Sequence, residues 1–138
     1  MKKVFVDTDI VLDLLLARRP HYVHSAKLFT LLDEGKTKGF ASSLMFSNLY
    51  YILRKQLGHK KTIEVLKKVK QQFTVLAVDE GIINLALKSK IKDFEDAVQC
   101  YTAKKNGIRF LITRNLKDYK NSSISAITAE EFLFKLKK

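Results

Sequence analysis

Read as a pattern of apolar and polar positions, the chain alternates short β-branched or aromatic runs with stretches of helical spacing. Residues 4–6 form a first strand that ends at Asp7, and residues 10–16 continue as a helix. Arg18-Arg19-Pro20 stops that helix, because proline disfavours helical backbone at the residue before it. A second helix over 22–34 puts Ala26, Phe29 and Leu32 on one face and ends at Gly35. A short strand over 39–41 leads to Ser42-Ser43, which cap a helix over 44–56. Gly58 ends that one, and a lysine-rich helix follows over 60–71 with Ile63, Leu66 and Val69 inward. The run 73–78 is a strand, and Asp79 starts a helix reaching about residue 88. Asp93 opens another helix, stopped near residue 105 by Asn106-Gly107. Strands over 110–113 and 124–127 complete the pattern, and Thr128 with Glu131 resembles a capping box that opens a final helix. About five strands and seven helices in alternation predict an α/β fold with a mainly parallel sheet. Ligands of such sheets bind beyond the carboxyl ends of the strands, where the strand order reverses.

Composition adds three expectations. A length of 138 residues predicts one domain spanning 1–138. The 26 basic against 14 acidic residues, a net charge of +12, favour a polyanionic partner such as RNA, DNA or an acidic protein, with solubility alone as the plainer explanation. Cys100 is the single cysteine, so an intramolecular disulfide is excluded and a small buried hydrophobe is expected. The apolar run after Lys2 and Lys3 is broken at once by Asp7 and Asp9, unlike a signal peptide. No apolar stretch approaches the ~20 residues that span a bilayer, so a cytoplasmic protein that engages no membrane is expected.

The chemistry concentrates where strands end and helices begin. Asp7-Thr8-Asp9 follows the first strand, Arg114-Asn115-Leu116-Lys117-Asp118 follows the fourth, and Asp93-Phe94-Glu95-Asp96 opens a helix. Asp93 and Asp96, three apart, share a side of that helix. If the first and fourth strands are neighbours, Asp7, Asp96 and Asp118 meet in one cleft. Their mutual repulsion would raise their pKa values unless a cation neutralised them. Carboxylate oxygens suit Mg²⁺ or Mn²⁺. Each residue also has a structural explanation: Asp93 and Asp9 as helix caps, Asp96 at the positive end of a helix dipole, Asp118 in a turn. His21 and His24 lack a third ligand nearby and suit a polar helix start. Tyr50 and Tyr51 suit base stacking, or, at helical spacing with Phe46 and Leu53, a place for at least one in the core.

Four stretches resemble, in order, the motifs of the PIN domain family. They are Val-Phe-Val-Asp-Thr-Asp-Ile-Val-Leu-Asp-Leu-Leu around Asp7, and Ser-Ser-Leu-Met-Phe-Ser-Asn-Leu-Tyr-Tyr-Ile-Leu around Asn48. The others are Asp-Phe-Glu-Asp-Ala-Val-Gln around Asp96, and Phe-Leu-Ile-Thr-Arg-Asn-Leu-Lys-Asp-Tyr around Asn115 and Asp118. The resemblance implies a three-layer α/β/α sandwich with a central, mainly parallel sheet. It implies a Mg²⁺- or Mn²⁺-dependent ribonuclease, the toxin of a bacterial toxin–antitoxin pair, dimeric and neutralised by an antitoxin protein. Asp7, Asp96 and Asp118 would then hold metal and, with Asn48, form the catalytic set. Asp93 and Asn115 would support the acidic cluster, and Thr8 and Thr113 would orient carboxylates or phosphate. Arg114 and Lys117 would grip the RNA phosphates. The chain departs from the family pattern at Asn48, where a glutamate is usual, and at Asn115, often an aspartate. An amide oxygen still binds metal or water but brings no charge, so weaker metal affinity is expected.

Two alternatives compete. A PIN fold that binds RNA or protein without cutting is consistent with the two asparagines. A haloacid-dehalogenase-type phosphatase would use Asp7 as nucleophile and Asp9 as acid–base residue, although its closing acidic pair would have to follow a later strand.

Overall fold

The computed structural model describes residues 2–120 and 122–137. Five strands, β1 (Lys2–Val6), β2 (Thr37–Ser42), β3 (Phe73–Leu76), β4 (Phe110–Ile112) and β5 (Ser125–Ile127), form one sheet in the order β3-β2-β1-β4-β5, with every pair parallel. The helices are α1 (Thr8–Leu15), α2 (Tyr22–Asp33), α3 (Ser43–Gln72), α4 (Glu80–Lys88), α5 (Phe94–Lys105) and α6 (Ala129–Leu136). A 3₁₀ turn, Leu116–Tyr119, follows β4 where a plain loop was expected.

The period-two alternation of strand side chains sorts the core into two faces. Val4 and Val6 of β1 and Ile112 of β4 pack with α1, α2, α3 and α6, through Ile10, Leu28, Met45, Leu49 and Phe132 among others. Phe5 and Leu111 point the other way, against Cys100 and Ala103 of α5 and Tyr119 of the 3₁₀ turn. Helix α4 packs on α5 through Ile82, Ala86, Ala97 and Val98. The result is the expected α/β/α layering, with Cys100 buried as a small hydrophobe.

Gly58 breaks the helical dihedrals of α3 with φ 76° and ψ 170°, so the two helices expected on either side of it run on across a kink. That left-handed φ suits glycine, which lacks the Cβ penalty. In β2, a Cβ at Gly39 would stand 3.0 Å from Leu32 and from Phe73, so the bare backbone lets α2 and β3 close over the strand. The two tyrosines of α3 differ from expectation, because neither enters the core. Tyr51 is 59% exposed, and Tyr50 is half-buried with its hydroxyl 2.8 Å from His59 Nδ1. His24 meets Glu130 at 3.2 Å, and His21 begins α2 without a side-chain cap bond. Among the described residues no helix is long and apolar enough to cross a membrane.

The chain builds β1, β2 and β3 outward in one direction, then crosses back to place β4 on the far side of β1. The strand order therefore reverses between β1 and β4, and the crevice beyond their carboxyl ends is where a ligand of this topology belongs.

Candidate active site

The parallel register pairs Val6 with Ile112, so the next residues, Asp7 and Thr113, emerge side by side at the end of the sheet. The Asp7 N–H donates to the Ile112 carbonyl at 3.0 Å. Asp7 caps α1, the role expected of Asp9: its Oδ1 accepts the Asp9 N–H at 3.1 Å, and its Oδ2 accepts the Thr113 hydroxyl at 2.7 Å. The Asp7 side chain is buried, and burial pushes its pKa up despite those donors. Thr113 is held in turn by the Asn115 N–H, which donates to its Oγ1 at 3.0 Å.

Helix α5 supplies the second carboxylate. Asp93 caps the helix by accepting the Asp96 N–H at 3.0 Å, which fixes Asp96 in the first turn. Asp96 is only 4% exposed. Its pKa is raised to about 8, first by burial, then by the Asp118 carboxyl beside it and by the charges of Asp7 and Asp93. Asp118 rides on the 3₁₀ turn after β4, so three distant segments bring Asp7 and Asp118 each within range of Asp96. Burial and the Asp7 charge raise Glu95 as well, and Asn48 donates its amide to the Glu95 carboxylate across the mouth of the site. A cleft of about 590 Å³ between α1, α3 and α5, bordered by Asp9, Asn48, Tyr51 and Glu95, opens beside this cluster.

Among the described residues none of Asp7, Asp96, Asp118 and Glu95 takes part in an ion pair. That donor set fits a hard divalent cation. Among the described residues no three such side chains already close on one point. A Mg²⁺-like ion does not require that, since it keeps several waters and takes one or two carboxylates plus substrate phosphate.

The structure alters two expected roles and leaves a third open. Arg114 does not face outward to a phosphate: its Nε and Nη2 donate to Asp13 at 2.8 and 3.1 Å. Asp13 is fully buried in α1 and therefore requires a cation. Thr8 donates its N–H and hydroxyl to Gln99 Oε1 at 3.2 and 3.4 Å, so it orients Gln99 rather than an acid directly. Lys117 is exposed on the 3₁₀ turn, as a phosphate contact would need.

Four residues of the site went unread in the sequence. Asp13 could have been found as an aspartate inside an apolar helical run. Glu95 stood in the acidic motif itself. Gln99 lies one helical turn beyond Asp96, beside Asp7, with its Nε2 buried and unpartnered. The Tyr119 hydroxyl is buried facing Asp96 and Asp7 without a well-formed hydrogen bond, and burial and those charges push its pKa up. Both point donors at the acids.

Ribonuclease VapC1 of Aquifex aeolicus (strain VF5) is 29% identical over 136 residues, covering 95% of this chain and 93% of that protein. Among solved structures, DNA-bound VapBC from Salmonella typhimurium matches with a TM-score of 0.69 at 21% identity, over 94% of this chain and 99% of that one. The Sarcin-Ricin loop cleaving toxin VapC20 of Mycobacterium tuberculosis matches at 0.67 and 15% identity, over 88% and 98%. Those structural matches speak for the fold. A sequence profile of the PIN domain matches residues 3–117, which contain the strand-end acids up to Asp96, Asn115 and Lys117, and the chain belongs to the PIN domain family.

Proposed function

We propose that this protein is a divalent-metal-dependent endoribonuclease, acting as the toxin of a toxin–antitoxin pair, with Asp7, Asp96 and Asp118 as the carboxylates that hold Mg²⁺ or Mn²⁺. The observation that carries this reading is the burial of Asp7 and Asp96, with Asp118 beside Asp96 and no ion-paired cation on any of the three among the described residues. The family membership supports it, as does the likeness to a relative named as a ribonuclease. Structures titled as VapBC complexes among the similar folds support a protein antitoxin as partner. Family membership also removes the phosphatase alternative, since the acidic pair opens α5 instead of following a strand.

The chain's own residues divide the work. The Thr113 hydroxyl and the Asp9 N–H point the Asp7 carboxylate into the crevice. The α5 N-terminus favours negative charge at Asp96. Asp93 and Asn115 act on the backbone and on Thr113 to hold these groups in place. Asn48 anchors Glu95 at the mouth and adds an amide without charge. A bound divalent ion supplies Lewis acidity, lowering the pKa of water beside it and offsetting charge on phosphate oxygens. Lys117 and its basic neighbours attract the phosphate backbone without choosing sequence.

The test is cleavage of mixed RNA in Mg²⁺, in Mn²⁺ and in chelator, beside an Asp7→Ala variant. Metal-dependent cleavage lost in Asp7→Ala is expected. Cleavage in chelator, or undiminished in the variant, would sink the assignment. A protein that binds RNA but no divalent ion by calorimetry would be the binding-only module that Asn48 and Asn115 favour.

A further inference from the structure

A cavity of about 360 Å³ opens between the end of α4, the flank of α5 and the chain after the 3₁₀ turn. Lys88, Lys90 and Lys104 converge on it with Ser89, Ser122 and Ser123. No carboxylate lines it, and among the described residues none of the three lysines takes part in an ion pair. Neighbouring cations behave differently: Lys105, adjacent to Lys104, is bound to Asp79. Lys104 Nζ lies 5.3 Å from the Tyr101 ring centroid, which favours its ammonium there. Ser89 Oγ accepts the Ile91 N–H at 2.9 Å and keeps its own proton to donate. The Ser122 hydroxyl already donates to the Tyr119 carbonyl at 2.7 Å, so three unneutralised ammonium groups beside the Ser89 hydroxyl are chemistry for an anion with several oxygens, with lysine acting as a point charge toward phosphate.

The cavity and the acidic centre share helix α5. The cavity floor is Cys100, one turn along α5 from Asp96, and Cys100 packs in the same cluster as Tyr119, which faces Asp96 from the other side. Lys104 is eight residues beyond Asp96 on α5, about 12 Å at 1.5 Å per residue. That is a reach of a few nucleotides of single strand. The acidic end of α5 and the basic flank thus lie along one helix, and a phosphodiester chain is the ligand that needs both.

We propose that Lys88, Lys90 and Lys104 form a phosphate subsite for the RNA strand, holding a backbone phosphate a few nucleotides from the bond cut at Asp7 and Asp96. This rests on the ribonuclease reading above and adds to it where the substrate runs. It predicts that affinity for longer RNA depends on these lysines, whereas chemistry on the shortest substrates does not.

The experiment uses the full chain, with a fluorescent single-stranded RNA titrated in chelator at salt from about 50 to 200 mM. The triple variant Lys88→Ala, Lys90→Ala, Lys104→Ala is compared with a charge-matched control on α3, Lys61→Ala, Lys67→Ala, Lys68→Ala. In the subsite variant, the slope of log affinity against log salt should become shallower by about 0.7, the value for one lost phosphate contact. With metal, KM for long RNA should rise about tenfold at unchanged kcat, and a dinucleotide should be cut as by the parent. Equal weakening in the control would reduce the effect to net charge and overturn the subsite. So would parental binding in the subsite variant. Inorganic phosphate that binds the parent through these lysines without competing with RNA would assign the cavity to free phosphate and overturn the RNA strand. A parent that binds RNA through the subsite yet cuts none with metal would fail the nuclease reading alone. A parent that cuts RNA while the subsite variant matches it would fail the subsite alone.

Discussion

Asp7 and Asp13 are six residues apart on the same segment, both buried, at 2% and 0% exposure, and they meet opposite fates. Asp13 receives two hydrogen bonds from Arg114 and has Arg18 at 3.9 Å, so its charge is matched within the chain. Asp7 receives a hydroxyl and a backbone N–H but, among the described residues, no cation, and burial raises its pKa. The difference separates structural from functional burial of charge. A carboxylate that only has to hold two segments together is given its counter-ion by the fold. A carboxylate buried without such a counter-ion has its pKa pushed up by that burial. The same Arg114 that serves Asp13 also sits between Thr113 and Asn115, so the satisfied pair braces the loop on which the unsatisfied site is built.

The sharpest way to break this comparison is to treat the two kinds of aspartate alike. Asp96→Asn should lower metal-dependent RNA cleavage by at least about 10³-fold. In chelator at pH 8 its thermal midpoint should not fall, because the repelling charge is gone. Asp13→Ala should do the reverse to stability, costing about 3 kcal/mol in urea unfolding by leaving Arg114 without its buried partner. If Asp96→Asn unfolds as readily as Asp13→Ala, the distinction fails.

Titration sharpens it further. Asp96 has a pKa raised from 3.8 to about 8 in the folded, ion-free chain. Between those values the folded state holds a proton that the unfolded state has lost. Stability from this group is therefore full below about pH 4 and declines as pH rises through about 8. The thermal midpoint in chelator should fall across that window, and divalent ion should restore it most at the alkaline end. A midpoint independent of pH would contradict the burial argument. The smallest effect is expected from the donors behind the acids: Gln99→Leu should weaken divalent-ion binding, measured by calorimetry, by about tenfold.

Much of the fold was legible because its signals are local. The alternation of Val4, Phe5 and Val6, the capping box at Thr128 and Glu131, and the stop at Asn106-Gly107 each act within a few residues. Asp7 and Asp96 could be singled out because a strand end and a helix start are visible in sequence. The commitment of Arg114 to Asp13 was not visible, since a pair separated by 101 positions leaves no mark on either neighbourhood. Nor were Gln99 and Tyr119, whose importance comes only from what they face.

The sequence by itself determined the alternating elements, their caps and the charges at their ends, because hydrophobic period and backbone preference act over a turn or a strand. Tertiary structure alone decided which charges meet. Pairing β1 with β4 set Asp7 beside Thr113, brought α5 and the 3₁₀ turn around them, and left some acids matched and others open, because electrostatic neighbourhoods are made by distance in space.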